Sequence, residues 1–271
     1  MQKRIKESCM EREASYIAEA FYYHKAVGEA KSLSSSHYHN SFEIYYLKEG
    51  YCNYFIDDRA YDTKVGDIIL IPEGVIHKTN YNETPHTRIL INCSTEYIPK
   101  SVRPLISSMP YLYRNPEITK AVDIIFQKIG EEYERSDAFS GEALKCLTFE
   151  LFFLLARNLG KRTEASTGNV FIEQTVKYIQ KNFMTDITLS KMAKIHSVSA
   201  EHLSRTFKKE TGFGFNEYVT LVRLQKAENM LKNEPGKSIC EVAYACGFND
   251  SNYFSDKFRR AYGISPSKVK K

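Results

Sequence analysis

The chain has 271 residues, of which 42% are hydrophobic and 26% charged, the balance of a soluble globular protein large enough for two ordinary domains. Its longest purely apolar run, Leu151-Phe152-Phe153-Leu154-Leu155-Ala156, excludes a membrane-spanning helix, and the polar start Met1-Gln2-Lys3-Arg4 predicts a cytoplasmic protein without a secretion signal. Charge is uneven: residues 171–271 carry 17 Lys/Arg against 10 Asp/Glu, net +7, whereas the first 170 carry 21 against 23, net −2, so a polyanion is the expected partner of the C-terminal part.

In chain order, β structure comes first. Phe42-Glu43-Ile44-Tyr45-Tyr46-Leu47 and Tyr51-Cys52-Asn53-Tyr54-Phe55-Ile56 are short aromatic and β-branched runs, followed by a turn at Asp57-Asp58. Ile68-Ile69-Leu70-Ile71 is a buried-strand run ended by Pro72, and Arg88-Ile89-Leu90-Ile91-Asn92-Cys93 is another. Short strands at this spacing predict a sandwich or small barrel. The six cysteines contain no C-x-x-C pair, which predicts reduced thiols rather than a disulfide framework or a zinc site.

The period then becomes helical. Ile118, Val122, Ile125, Ile129 and Tyr133 recur at intervals of three and four, as do Leu144, Leu147, Leu151, Leu154 and Leu155. The pair predicts an antiparallel helical hairpin. Phe149, Phe152 and Phe153 widen the apolar face of its second helix, so a contact with a second subunit is expected there, beyond covering the strands. Residues 161–169 have almost no apolar content and read as an exposed linker.

The last hundred residues are an internal repeat. Met192-Ala193-Lys194-Ile195 returns as Val242-Ala243-Tyr244-Ala245, fifty positions on. Leu203-Ser204-Arg205-Thr206-Phe207-Lys208-Lys209 returns as Phe254-Ser255-Asp256-Lys257-Phe258-Arg259-Arg260, fifty-one on. Each copy reads as a short helix, a tight turn and a second helix. Thr188 and Ser238, the latter in a capping box with Glu241, start the first helices, while Ser199 and Asp250 start the second. Gly247 supplies a left-handed turn residue, and Ser197 stands at the matching place, where strain or a different turn is expected. Phe215, Tyr218, Val219, Val222, Ala227, Met230 and Leu231 mark a long connecting helix ended by Pro235-Gly236.

A helix-turn-helix presents the first turns of its second helix to the major groove. The residues expected at base edges are Ala200, Glu201, Ser204 and Arg205 in the first copy and Ser251, Asn252, Ser255 and Asp256 in the second. Arg suits guanine, Asn adenine, and a carboxylate accepts from cytosine. Lys208, Lys209, Arg259 and Arg260, further along, are expected at phosphates.

Gly247-Phe248-Asn249-Asp250-Ser251-Asn252-Tyr253-Phe254-Ser255, with Phe258-Arg259-Arg260, Gly263 and Ser265-Pro266, resembles the signature of the AraC/XylS family of regulators. Ser199 through Gly212 is similar to that family's first unit. The resemblance implies tandem helix-turn-helix units entering successive major grooves of double-stranded DNA, and activation of transcription by recruiting RNA polymerase. The sequence departs from the family pattern at Val269-Lys270, where an aromatic residue and a base are usual, and at Asp256, where a basic residue is common. The first unit is therefore expected to contribute more to affinity.

In the N-terminal half, His37-x-His39-x3-Glu43-x6-Gly50 resembles the first cupin motif and Gly66-x5-Pro72-x-Gly74-x2-His77 the second, with Tyr81 and Lys31 replacing a usual Asn and Gly. The resemblance implies a pocket lined by His37, His39, Glu43 and His77; Tyr45 and Tyr54 read either as stacking faces for a sugar there or, as aromatic residues more often do, as core. His37, His39, Glu43 and His77 also form a candidate site for a divalent metal, and a metal-dependent cupin enzyme, an oxygenase or isomerase, is the rival reading. That reading leaves the basic tandem repeat unexplained.

The expected architecture is thus an α+β two-domain protein. Residues 1–160 form a cupin-like β-barrel followed by a helical hairpin, a domain for effector binding and dimerisation. A linker follows at 161–169, then an all-α tandem helix-turn-helix domain at 170–271. The expected function is that of a homodimeric, non-enzymatic regulator, requiring no cofactor and answering to a small molecule, with a sugar the leading candidate.

Overall fold

A computed structural model of the chain describes residues 20–29, 41–81, 85–158 and 168–270. The chain divides into two compact units, one built chiefly on strands and a helical hairpin and the other chiefly on helices.

In the first unit, β1 (Phe21–Glu29), β7 (His86–Cys93), β2 (Phe42–Glu49), β5 (Ile68–Ile71) and β8 (Leu112–Tyr113) form one sheet in the order β1-β7-β2-β5-β8. A second sheet has the order β4-β3-β6, with β3 at Cys52–Ile56, β4 at Arg59–Thr63 and β6 at His77–Asn80. The pairings of β7 with β1 and β2, of β2 with β5, of β5 with β8 and of β3 with β6 are antiparallel. Two helices follow, α1 (Thr119–Arg135) and α2 (Ser140–Arg157).

Strands β2, β5 and β7 of the larger sheet are buried on both faces along most of their length, and side-chain parity sorts their residues between two cores. Phe42, Ile44 and Tyr46 of β2 and Ile89, Ile91 and Cys93 of β7 pack with the apolar stripes of α1 and α2. Tyr45 and Leu47 of β2 and Leu90 of β7 instead face Tyr54, Ile56 and Tyr61 of the smaller sheet. Tyr46 stacks on Phe126 at 4.7 Å between ring centroids, and its hydroxyl donates to Asp123 Oδ1 at 2.7 Å. Phe42 meets the edge of Phe152 at 5.3 Å. Phe152 is thereby spent on its own sheet, contrary to the expectation that it helps to widen a face for a second subunit. Phe149 and Phe153 lie outside that core, edge to face at 6.4 Å, and Phe153 is exposed.

In the second unit, α3 (Val170–Asn182) precedes α4 (Leu189–Ile195), α5 (Ala200–Thr211), α6 (Phe215–Asn233), α7 (Ile239–Ala245), α8 (Ser251–Tyr262) and the single turn α9 (Pro266–Val269). Of the linker expected at 161–169, residues 161–167 lie outside the described residues, and Asn169 already caps α3 by accepting from the Phe171 amide. Helix α6 spans both repeats. Its start packs on the first, with the Phe207 ring against Phe215 at 5.5 Å and Tyr218 at 5.6 Å. Its end, through Leu224, Ala227 and Leu231, packs on the second with Phe254 and Phe258. Leu224 and the buried carboxylate of Glu228, held by Lys232 at 2.6 Å, belong to this buried face in addition to the expected stripe, from which Met230 is only half-buried.

Candidate DNA interface and effector site

The two repeats match element by element. Helices α4 and α7 each have 7 residues, and α5 and α8 each have 12. Thr188 Oγ1 accepts from the Lys191 amide and Ser238 Oγ from the Glu241 amide, while Glu241 Oε2 accepts in return from the Ser238 amide at 2.7 Å. Ser199 and Asp250 accept from the amides of His202 and Tyr253, three residues on in each case. Each α5/α8 helix ends at a left-handed glycine, Gly212 or Gly263.

The turns between the paired helices follow the same path. Ser197 has φ 56° and Gly247 φ 83°, and the next amides, of Val198 and Phe248, both donate to a carbonyl five residues back at 3.0 Å. Ser197 therefore adopts the glycine's turn. The offset of fifty in α4/α7 and fifty-one in α5/α8 comes from one extra residue, Asn249, inserted after the shared turn. At Gly247 glycine is required twice over, by φ and by space: a Cβ would lie 2.6 Å from the Phe183 carbonyl oxygen and 3.0 Å from Arg223 Nε. Arg223 itself donates to the carbonyls of Phe183 and Thr185, both at 2.9 Å, and so locks the end of α3 beside that turn.

Capping fixes where α5 and α8 begin, and the buried pairs Leu203/Phe207 and Phe254/Phe258 fix which side faces the core. The remaining side is thereby determined. Glu201, Arg205, Asn252 and Asp256 are exposed there, and Ala200, Ser204, Ser251 and Ser255 are half-buried. The Ser255 hydroxyl donates back to the Ser251 carbonyl at 2.8 Å. Lys208, Lys209, Arg259 and Arg260 are exposed in the last turns of the same helices. Asp256 is not isolated, because its Oδ2 lies 3.0 Å from Arg260 Nε.

Two exposed residues in these first turns escaped the sequence reading, His202 and its repeat mate Tyr253, with Lys257 Nζ 5.3 Å from the Tyr253 ring centre. The fifty-one-residue offset that matches Leu203 with Phe254 also matches these two, so the signal was present.

In the strand unit, the inward faces of the two sheets bring together four of the six residues expected in a pocket. Tyr54 donates to Glu43 Oε1 at 2.5 Å, and His77 Nε2 lies 3.6 Å from Glu43 Oε2. His77 Nδ1 is 2.8 Å from the Val75 carbonyl, which can only accept, so Nδ1 carries a proton. The Tyr45 ring meets Tyr54 edge-on at 5.2 Å. Burial first, then the Glu43 carboxylate, holds the Tyr54 phenol well above its usual pKa, and burial does the same for Tyr45, so both act as neutral hydroxyls. His37 and His39 lie outside the described residues. Among the described residues no group of three or more His, Cys, Asp or Glu side chains is placed to hold a metal ion.

The same enclosure contains residues that sequence reasoning read only as strand. Arg88 and Asn92 alternate with Ile89, Ile91 and Cys93 on β7, and so share the inward side with Leu90. Arg88 is 5% exposed, yet its Nε and Nη1 make no hydrogen bond; Asn92 Oδ1, equally buried, makes none either. Burial works against the Arg88 charge, but Tyr81, Tyr45 and Glu43 outweigh it, so the guanidinium pKa lies above its ordinary value. Tyr81 closes this side, stacked on His86 with ring centroids 3.5 Å apart.

Comparison with known proteins matches both units. Residues 21–152 match the model of the AraC-like ligand binding domain, and residues 192–271 match a helix-turn-helix domain model. The chain is 26% identical over 254 residues to the HTH-type transcriptional activator RhaS of Mannheimia succiniciproducens, covering 89% of this chain and 90% of that protein. It is 25% identical over 252 residues to RhaS of Klebsiella pneumoniae, covering 89% and 88%. Among solved structures, the C-terminal domain of AraT, a response regulator from Geobacillus stearothermophilus, shares 34% identity over 39% of this chain and 87% of that one, with a TM-score of 0.37. A cupin-like strand domain joined to a helical tandem repeat, each matched by its own model in this order, makes the chain a member of the AraC family of transcriptional regulators, DNA-binding proteins that respond to a small-molecule effector.

Proposed function

We propose that this regulator is a cytoplasmic homodimer that activates transcription when a sugar or sugar derivative enters the space between its two sheets. The observation that carries the reading is the pair of equivalent helices α5 and α8, each started by a side-chain cap and ended by glycine, with a polar exposed face. Ala200, Glu201, Ser204, Arg205, Ser251, Asn252, Ser255 and Asp256 meet base edges, while Lys208, Lys209, Arg259 and Arg260 meet phosphates. The effector set is Glu43, Tyr45, Tyr54 and His77, joined by His37 and His39. Residues 1–160 sense and dimerise, 161–169 link, and 170–271 bind DNA. Exposed Ile124, Phe139 and Phe153 on and beside α1 and α2 offer apolar surface to a second copy. Effector binding changes whether two DNA-binding domains occupy their half-sites together, so the gain is one of effective concentration, and RNA polymerase is the partner recruited. No helix among the described residues is long and apolar enough to cross a membrane.

The protein works without turnover and without a required cofactor. The contact of His77 with Glu43 keeps a second reading in view, a divalent metal held by these two with His37 and His39 in a cupin enzyme. Selection of bound duplexes from a random pool, with and without a panel of sugars, tests the first reading. It predicts an enriched motif with two half-sites and a sugar that changes its recovery. Equal recovery of all sequences would sink it, and stoichiometric metal in the purified protein together with turnover of a small substrate would favour the second.

A further inference from the structure

The buried guanidinium of Arg88 leaves two of its three nitrogens without a hydrogen bond. An interior arginine is ordinarily saturated, because each unpaired N–H forfeits its water without replacement. Here Nε and Nη1, three N–H protons between them, make no hydrogen bond, and among the described residues no carboxylate lies in ion-pair range of them. The groups that influence Arg88 are Tyr81, Tyr45, Glu43 and Tyr54, the residues of the inward face itself. The second orphan in that enclosure is of opposite kind. Asn92 Oδ1 is an acceptor without a donor, and Asn92 stands directly across from Glu43 in the β2–β7 register. One end of the enclosure therefore asks for an acceptor that can face a full positive charge, and the other asks for hydroxyl donors.

We infer that the effector is a sugar acid, a polyhydroxylated molecule bearing one carboxylate, with Arg88 receiving the carboxylate and Asn92 with Glu43 receiving hydroxyl protons. The inference rests on the sensor reading above and narrows its ligand class. A carboxylate accepts charge-assisted hydrogen bonds from the guanidinium and supplies the missing counter-charge, whereas a neutral hydroxyl supplies only the first. A plain alkyl carboxylate satisfies Arg88 and leaves Asn92 Oδ1 unpaired.

The test is titration calorimetry on the full chain with D-glucuronate and D-galacturonate, set against D-glucose, D-galactose, D-glucuronamide and decanoate, and repeated with Arg88→Gln and Arg88→Lys. The expected result is that a uronate binds, that its neutral hexose and its amide bind weaker by about tenfold or more, and that Arg88→Gln removes this preference while Arg88→Lys keeps part of it. The amide comparison uses the unaltered chain, so it decides the matter even if the Gln variant does not fold. Equal binding of hexose and uronate overturns the inference while leaving a sugar sensor intact. Binding of decanoate in place of the uronates overturns it as well. Silence from every sugar and acid removes both this inference and the sugar half of the proposed function, while the duplex selection still reports on DNA reading by itself.

Discussion

Asp256 and Arg260 are joined along one face of α8, Oδ2 to Nε at 3.0 Å, one helical turn apart. The carboxylate that replaces a basic residue in the second repeat thus holds one of that repeat's two terminal arginines. The matching face of α5 carries Arg205 and exposed Lys208 and Lys209. From this arrangement we expect unequal reading by the two repeats.

Replacing Asp256 by Asn should release Arg260 and remove a charge that repels phosphate. Affinity for random-sequence duplex should rise, and the slope of log Kobs against log salt should steepen by about one phosphate contact. An unchanged slope in fluorescence anisotropy titrations over a salt series would mean that Arg260 reaches DNA despite its partner.

Arg205→Ala should cost about 1–3 kcal/mol of binding and relax preference at a single base position. Competition among duplexes that differ at one position checks it. A loss shared evenly by all competitors would reassign Arg205 to the phosphates.

The two turn residues make opposite predictions. Gly247→Ala forces a side chain into a left-handed backbone and onto the Phe183 carbonyl, and should destabilise by about 2 kcal/mol or more. Ser197→Gly relieves the same backbone conformation in the first repeat and should stabilise by about 0.5–1 kcal/mol. Urea melts of the two variants beside the parent chain measure both, and a destabilised Ser197→Gly would refute the equivalence of the turns.

Glu241 caps α7, and its bond from the Ser238 amide, supported by the Ser238 side chain, holds its pKa below the ordinary 4.5. A carboxylate with a depressed folded pKa stabilises above its unfolded pKa, and that contribution disappears as the pH falls through the folded value. The parent chain should therefore lose more stability than Glu241→Gln between about pH 6 and about pH 3. Parallel drops in denaturant midpoint for the two proteins would show that the cap does not depend on charge.

The helical repeats were legible in the sequence because their signals are local. A cap, a left-handed turn and an i/i+4 aromatic pair each involve residues within a few positions of one another, and Thr188, Ser199, Ser238 and Asp250 all cap as expected. The strand unit was legible where apolar and aromatic residues run together, at Phe42–Leu47, Tyr51–Ile56, Ile68–Ile71 and Arg88–Cys93. Strands β1, β4, β6 and β8 went unread: β4 and β6 are short and polar, β8 has two residues, and β1 shows itself as a strand only through its pairing with β7. A run buried on both sides also conceals its parity, which is why Arg88 gave no hint of its direction. Phe152 misled for a related reason. Periodicity marks an apolar face on α2 but does not say that Phe42 lies against it.

The alternation along β7 has an evolutionary consequence. Ile89, Ile91 and Cys93 carry the helices, while Arg88, Leu90 and Asn92 face the side where we place the effector. Substitutions at the second set can retune what the domain recognises while the first set keeps the scaffold intact. On the proposed assignment, a lineage of such regulators would diversify its effectors by changing every other residue of a single strand.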